Sequence, residues 1–130
     1  MAAGRSPAPR WHRWGVVGLV AALLLVASVV PVPEGAVPAE TGGLSLFALF
    51  HVLGYAALAA TFVYAMADSA RPDWQVLAGV VLVTVAYGGA IELLQGLLPY
   101  RLASYRDIAL NTLGAVLGAV GGWLLARPAR

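Results

Sequence analysis

Residues 75–98 read QVLAGVVLVTVAYGGAIELLQGLL, and within these 24 residues there is a single formal charge, Glu92. As a helix at 1.5 Å per residue this run is about 36 Å long, enough to cross a hydrocarbon core of about 30 Å. A carboxylate held in hydrocarbon costs several kcal/mol, roughly 2.5 to 3.5 on insertion scales, so such groups face a bundle interior and mark a site. The stretch therefore predicts both a spanning helix and a functional centre on its inner face.

Three further apolar runs, 14–30, 44–66 and 108–126, have spanning length, and the segments between them carry the breakers Pro31, Pro33, Gly35, Pro38, Pro72 and Pro99. With 61% hydrophobic and 11% charged residues, the chain lies far from a soluble domain, where about a quarter of residues are charged. The expected fold is all-α: a four-transmembrane-helix bundle, one membrane domain over 1–130. The first run follows Arg5, Arg10 and Arg13 like a signal peptide, but it is longer than the usual apolar core of 7 to 15 residues, so an uncleaved helix is expected. Cysteine is absent, excluding disulfides and thiolate chemistry, and a net charge of +2 gives no argument for nucleic acid.

All eight cationic residues are Arg, so topology rests on them alone. With the N-terminus inside, Arg5, Arg10, Arg13, Arg71, Arg127 and Arg130 fall on the inner side and only Arg101 and Arg106 outside, while Glu34 and Glu40 occupy an outer loop without a cation. Both termini are expected in the cytoplasm. Trp11, Trp14, Trp74 and Trp123 lie near helix ends and read as interfacial anchors, and His12 as an interfacial residue.

Under this topology three helices deliver polar groups to one layer near the outer boundary. His51, Glu92 and Asn111 lie roughly 10, 9 and 5 Å below it. Helical spacing puts Thr84, Gly88, Glu92, Gln95 and Pro99 on one stripe, and Asp107, Asn111, Gly114, Gly118 and Gly121 on another, with His51 and Tyr55 one turn apart. Gly114, Gly118 and Gly122 also make two overlapping Gly-x-x-x-Gly pairs, which allow close backbone approach. The expectation is a polar pocket floored by glycine packing. Interhelical hydrogen bonding could by itself account for Gln95 and Asn111 taken alone, but five ionisable groups, Glu92, His51, Arg101, Arg106 and Asp107, exceed what packing needs.

The run IELLQGLLPYRLASYRDIALNTLGAVLG, residues 91–118, resembles the VanZ-like family of small bacterial membrane proteins. The resemblance lies in Glu92 and Gln95 three apart, Pro99 and Arg101 soon after, then Asp107, Asn111 four later, and the glycine-rich helix from Gly114. His51 and Tyr55 match an earlier family feature, although Phe47 and Ala48 stand where an Asp and a Lys are common. The resemblance implies a multi-pass protein of the bacterial cytoplasmic membrane and cell envelope, in a family whose namesake is linked to glycopeptide (teicoplanin) resistance.

Two functions compete. In one, the pocket binds an anionic or lipid-linked envelope component, with Arg101 and Arg106 on phosphate or carboxylate oxygens and Glu92, Gln95, Asp107, Asn111, His51 and Tyr55 on the polar remainder. In the other, the protein is an enzyme acting on a lipid-linked phosphate or sugar, with Glu92 as general base and His51 and Asp107 as further catalytic candidates. No nucleophile motif and no clustered set of metal ligands stands out, and neither a cofactor nor a metal is expected. Membrane lipid, lipid-linked precursors and other envelope proteins are the expected partners. A transporter is disfavoured, because polar groups confined to the outer third give no path inward.

Overall fold

In a computed structural model, described for residues 8–31 and 45–126, four helices follow one another: α1 (Arg10–Val29), α2 (Leu46–Ala65), α3 (Asp73–Gln95) and α4 (Tyr105–Ala126). All four are long and apolar enough to span a membrane, and the described residues contain no strand. Their outward faces expose Leu19, Leu53, Leu82, Leu93 and Leu125, which lipid solvates and water would not. Leu44, Glu34, Glu40, Arg5, Arg127 and Arg130, which entered the expected boundaries and topology, lie outside the described residues.

The helix ends follow local chemistry more closely than hydropathy does. The first helix starts at Arg10, four residues before the expected 14, because the Pro9 carbonyl accepts from the His12 and Arg13 amides. Ser45 caps α2, its hydroxyl accepting the Ala48 amide at 3.1 Å. Pro72 precedes α3 and puts Asp73 in its first turn, where the helix dipole favours an anion. That helix ends at Gln95, short of the expected 98, because the Leu97 and Leu98 amides turn back to the carbonyls of Leu94 and Gln95 in tighter i to i−3 bonds. The last helix starts three residues before 108, where the Ser104 hydroxyl accepts the Asp107 amide at 3.3 Å.

Glycine sets the main interface. A Cβ built on Gly114 would overlap the Val52 carbonyl oxygen, one on Gly118 the Ala56 carbonyl oxygen, and one on Gly122 would stand 3.1 Å from Ala60 Cα. Each pair differs by 62 positions, so α2 and α4 run parallel in a fixed register with their backbones in contact. Gly121, equally plausible from the stripe, faces open space. Beyond the glycines, Ala59, Val63, Val80 and Ala119 form a core of small side chains, as expected where close packing rather than water exclusion joins helices.

The first helix is the peripheral one. Its Val17 packs with Leu58 and Ala65, and Leu24 fills the space over Gly54. At the end of the bundle where α1 starts, Arg13 is buried and ion-paired with Asp68 in the connection after α2, with its guanidinium 6.0 Å from the Tyr64 ring centroid. Trp11 and Trp14 at the start of α1, Trp74 at the start of α3 and Trp123 near the end of α4 belong to that same end.

Candidate functional site

The opposite end, where α2 begins, α3 finishes and α4 starts, holds the polar residues. Its geometry begins with Ser104. In a capping box the side chain at the third helical position takes the amide of the cap residue; here Asp107 occupies that position, but the Ser104 amide donates instead to Glu92 Oε2 at 3.0 Å. A carboxylate from α3 thus completes the N-terminus of α4, and Asp107 is released to turn inward. There its Oδ2 stands 3.8 Å from His51 Nε2, too long for a hydrogen bond.

The other ring nitrogen is engaged: His51 Nδ1 lies 2.8 Å from Asn111 Oδ1. An amide oxygen only accepts, so Nδ1 donates to it, and Nε2 is the ring atom turned toward Asp107. Asn111 and Glu92 are each 2% exposed. Both are incompletely satisfied, because Glu92 Oε1 and Asn111 Nδ2 are buried without a partner among the described residues. One ligand atom each from His51, Glu92 and Asp107 lies within 4.8 Å of the other two. The cluster is closed at Glu92 and Asn111 and reaches the surface through the half-buried His51 and Asp107.

Of the eight residues that the sequence nominates, the structure gathers four, His51, Glu92, Asp107 and Asn111. Tyr55, one turn below His51, is buried against α3, its ring 2.9 Å from where a Gly88 Cβ would sit. Gln95 is buried but turned away, donating from Nε2 to the Ser28 carbonyl of α1 at 3.0 Å. Arg101 is also directed to α1, with Nη2 donating to the carbonyls of Val30 at 2.8 Å and Ala27 at 3.4 Å, beside Tyr100 on the Val29 carbonyl. Arg106 is exposed in the first turn of α4 and has no hydrogen bond or ion pair among the described residues.

Ser104 was not nominated, although Ser104 followed three residues later by Asp107 is a readable helix-start signal. Thr84, 0% exposed with an unpartnered hydroxyl, extends the polar stripe of α3 below Gly88. An apolar groove between α3 and α4, lined by Leu77, Val81, Val85, Val116 and Val120, lies toward the middle of the bundle and offers no polar group to a reaction.

Arg101 therefore closes the C-terminal end of α1, where unsatisfied carbonyls and the helix dipole favour a cation. Arg101→Ala is expected to lower stability by about 1 kcal/mol through lost carbonyl bonds, leaving the His51–Asn111 pair intact. Unfolding in a detergent titration checks the first part, and the His51 ring resonances in NMR the second.

Fold and site define a small multi-pass helical membrane protein with ionisable side chains from three helices joined at one end. The VanZ/LLP1 family model matches residues 18–126, and the chain belongs to that family. No match was found among curated proteins or among solved structures.

Proposed function

We propose that this chain is a VanZ-like protein of the bacterial cell envelope, lying in the cytoplasmic membrane with both termini inside, that binds the polar head of a lipid-linked or anionic envelope component at the end of the bundle carrying the His51–Glu92–Asp107 cluster. The observation that carries this reading is the meeting of three ionisable groups from α2, α3 and α4, with buried acceptor and donor atoms on Glu92 and Asn111 left unpartnered. Each unsatisfied buried polar atom costs about 1 to 3 kcal/mol. A fold retains such a cost where a ligand relieves it.

The half-buried His51 and Asp107 form the way in, and the exposed Arg106 stands in the same turn as Asp107. In this assignment Arg106, rather than Arg101, contacts anionic oxygens at the rim, since Arg101 already holds the end of α1. The arginine count of the two sides supports an extracytoplasmic position for the cluster. The family's association with glycopeptide resistance is consistent with a target among lipid-linked precursors of the wall.

Mass spectrometry of lipids and envelope precursors that copurify with the protein tests this. Wild type is expected to retain a species that Asp107→Asn and Arg106→Ala lose by at least about tenfold, the scale of one charge-assisted hydrogen bond. Arg101→Ala is expected to keep it. Identical profiles for all four proteins would overturn the assignment.

A further inference from the structure

We infer that His51, Glu92 and Asp107 form a binding site for one divalent transition cation such as Zn²⁺ or Mn²⁺. The ligand atoms carry the argument. His51 commits Nδ1 to Asn111 Oδ1, and its Nε2 faces Asp107 Oδ2 across 3.8 Å with no hydrogen bond between them. Glu92 commits Oε2 to the Ser104 amide, while Oε1 stays buried with no donor among the described residues. Three groups able to ligate a metal thus converge, one atom of each within 4.8 Å of the other two.

The spacing suits an ion. Ligands at about 2.0 to 2.2 Å from one metal at tetrahedral angles stand about 3.3 to 3.6 Å apart, so the trio needs to close by little more than an ångström at its widest. One imidazole with two carboxylates is a nitrogen and oxygen set of the kind divalent first-row ions accept. The outer layer is also of the right type: a ligating histidine donates its other N–H to an oxygen acceptor, as His51 does to Asn111, and a ligating carboxylate is itself hydrogen-bonded, as Glu92 is by Ser104. Three protein ligands leave at least one coordination position open.

This inference deepens the headgroup reading and rests on it only for purpose. Two carboxylates repel an anionic headgroup, whereas a divalent ion cancels their charge and offers a Lewis-acidic position to a phosphate oxygen. Cation and headgroup remain separable in experiment.

Untagged full-length protein in detergent is stripped with a chelator, dialysed against Zn²⁺ or Mn²⁺ alone, and its metal counted by plasma mass spectrometry. One equivalent per chain is expected, with affinity about a hundredfold weaker or worse in Glu92→Gln and Asp107→Asn and about tenfold weaker in Asn111→Ala. The His12→Ala variant is expected to keep the equivalent. Circular dichroism confirms that each variant is helical, and Asp107→Asn, in a half-buried first turn, carries the test should Glu92→Gln fail to fold. Wild type that takes up no stoichiometric ion, or variants at Glu92 and Asp107 that bind as well as wild type, would overturn the inference. Selective lipid retention by a wild type that takes up no stoichiometric ion overturns only the cation; stoichiometric metal with no selective lipid overturns only the headgroup.

Discussion

Gly118→Ala is expected to destabilise the protein by about 3 kcal/mol or more. The added Cβ would overlap the Ala56 carbonyl oxygen and lie 2.5 Å from its Cα and 2.6 Å from its carbonyl carbon. Overfilling a packed interior costs about 1 to 3 kcal/mol where side chains can move aside. Here the obstacle is backbone on a second helix, so α2 and α4 must separate along their length and lose contacts above and below.

The neighbouring glycines grade the expectation. Gly122→Ala, with 3.1 Å to Ala60 Cα, should cost less, and Gly121→Ala, with nothing within 4 Å, should change stability by no more than about 0.5 kcal/mol. Gly114→Ala should match Gly118→Ala in cost and also displace Asn111, one turn away, from His51. Unfolding midpoints in a detergent titration give the order. Equal stability of Gly118→Ala and Gly121→Ala would mean that the parallel α2–α4 register is wrong.

Gly121 and Gly122 show what the sequence could not decide. Both continue the four-residue spacing from Gly114 within one position, and they point about 100° apart on the helix; only the register against α2 separates them. The four spans themselves were legible, because a run of about 20 apolar residues has no other stable disposition in water or lipid. The meeting of His51, Glu92, Asp107 and Asn111 was legible too, as depth and facial spacing are backbone properties.

Side-chain direction was not. Gln95 shares the stripe of Glu92 yet reaches Ser28, and Arg101 turns to Val30, because the end of α1 stands beside the α3–α4 connection with its carbonyls free. That placement depends on helix packing that no spacing within α3 encodes. Arg13 likewise read as one more N-terminal cation, since its partner Asp68 lies 55 positions away. The metal-type trio escaped motif reading for the same reason: its three members come from three helices.

Glu92→Gln is expected to make the metal-free protein more stable, by about 1 to 3 kcal/mol, while removing both cation and headgroup binding. The two effects share one cause. A carboxylate 2% exposed, with one oxygen bonded to Ser104 and the other unpartnered, bears a desolvation cost of several kcal/mol that a single amide bond does not offset. Glutamine keeps an oxygen for the Ser104 amide, so the start of α4 stays closed. Its NH₂ replaces a buried, unpartnered acceptor with a neutral donor on the side of Asp107 and removes the charge from the interior. Added Zn²⁺ should reverse the order, because an ion that binds only the folded wild type stabilises it by mass action and cannot do so for the variant. Unfolding of both proteins, with chelator and with Zn²⁺, measures this directly. A variant less stable than wild type in chelator would mean that Glu92 is retained as a structural partner of α4, and the case for a binding site would then lose the residue on which it was built.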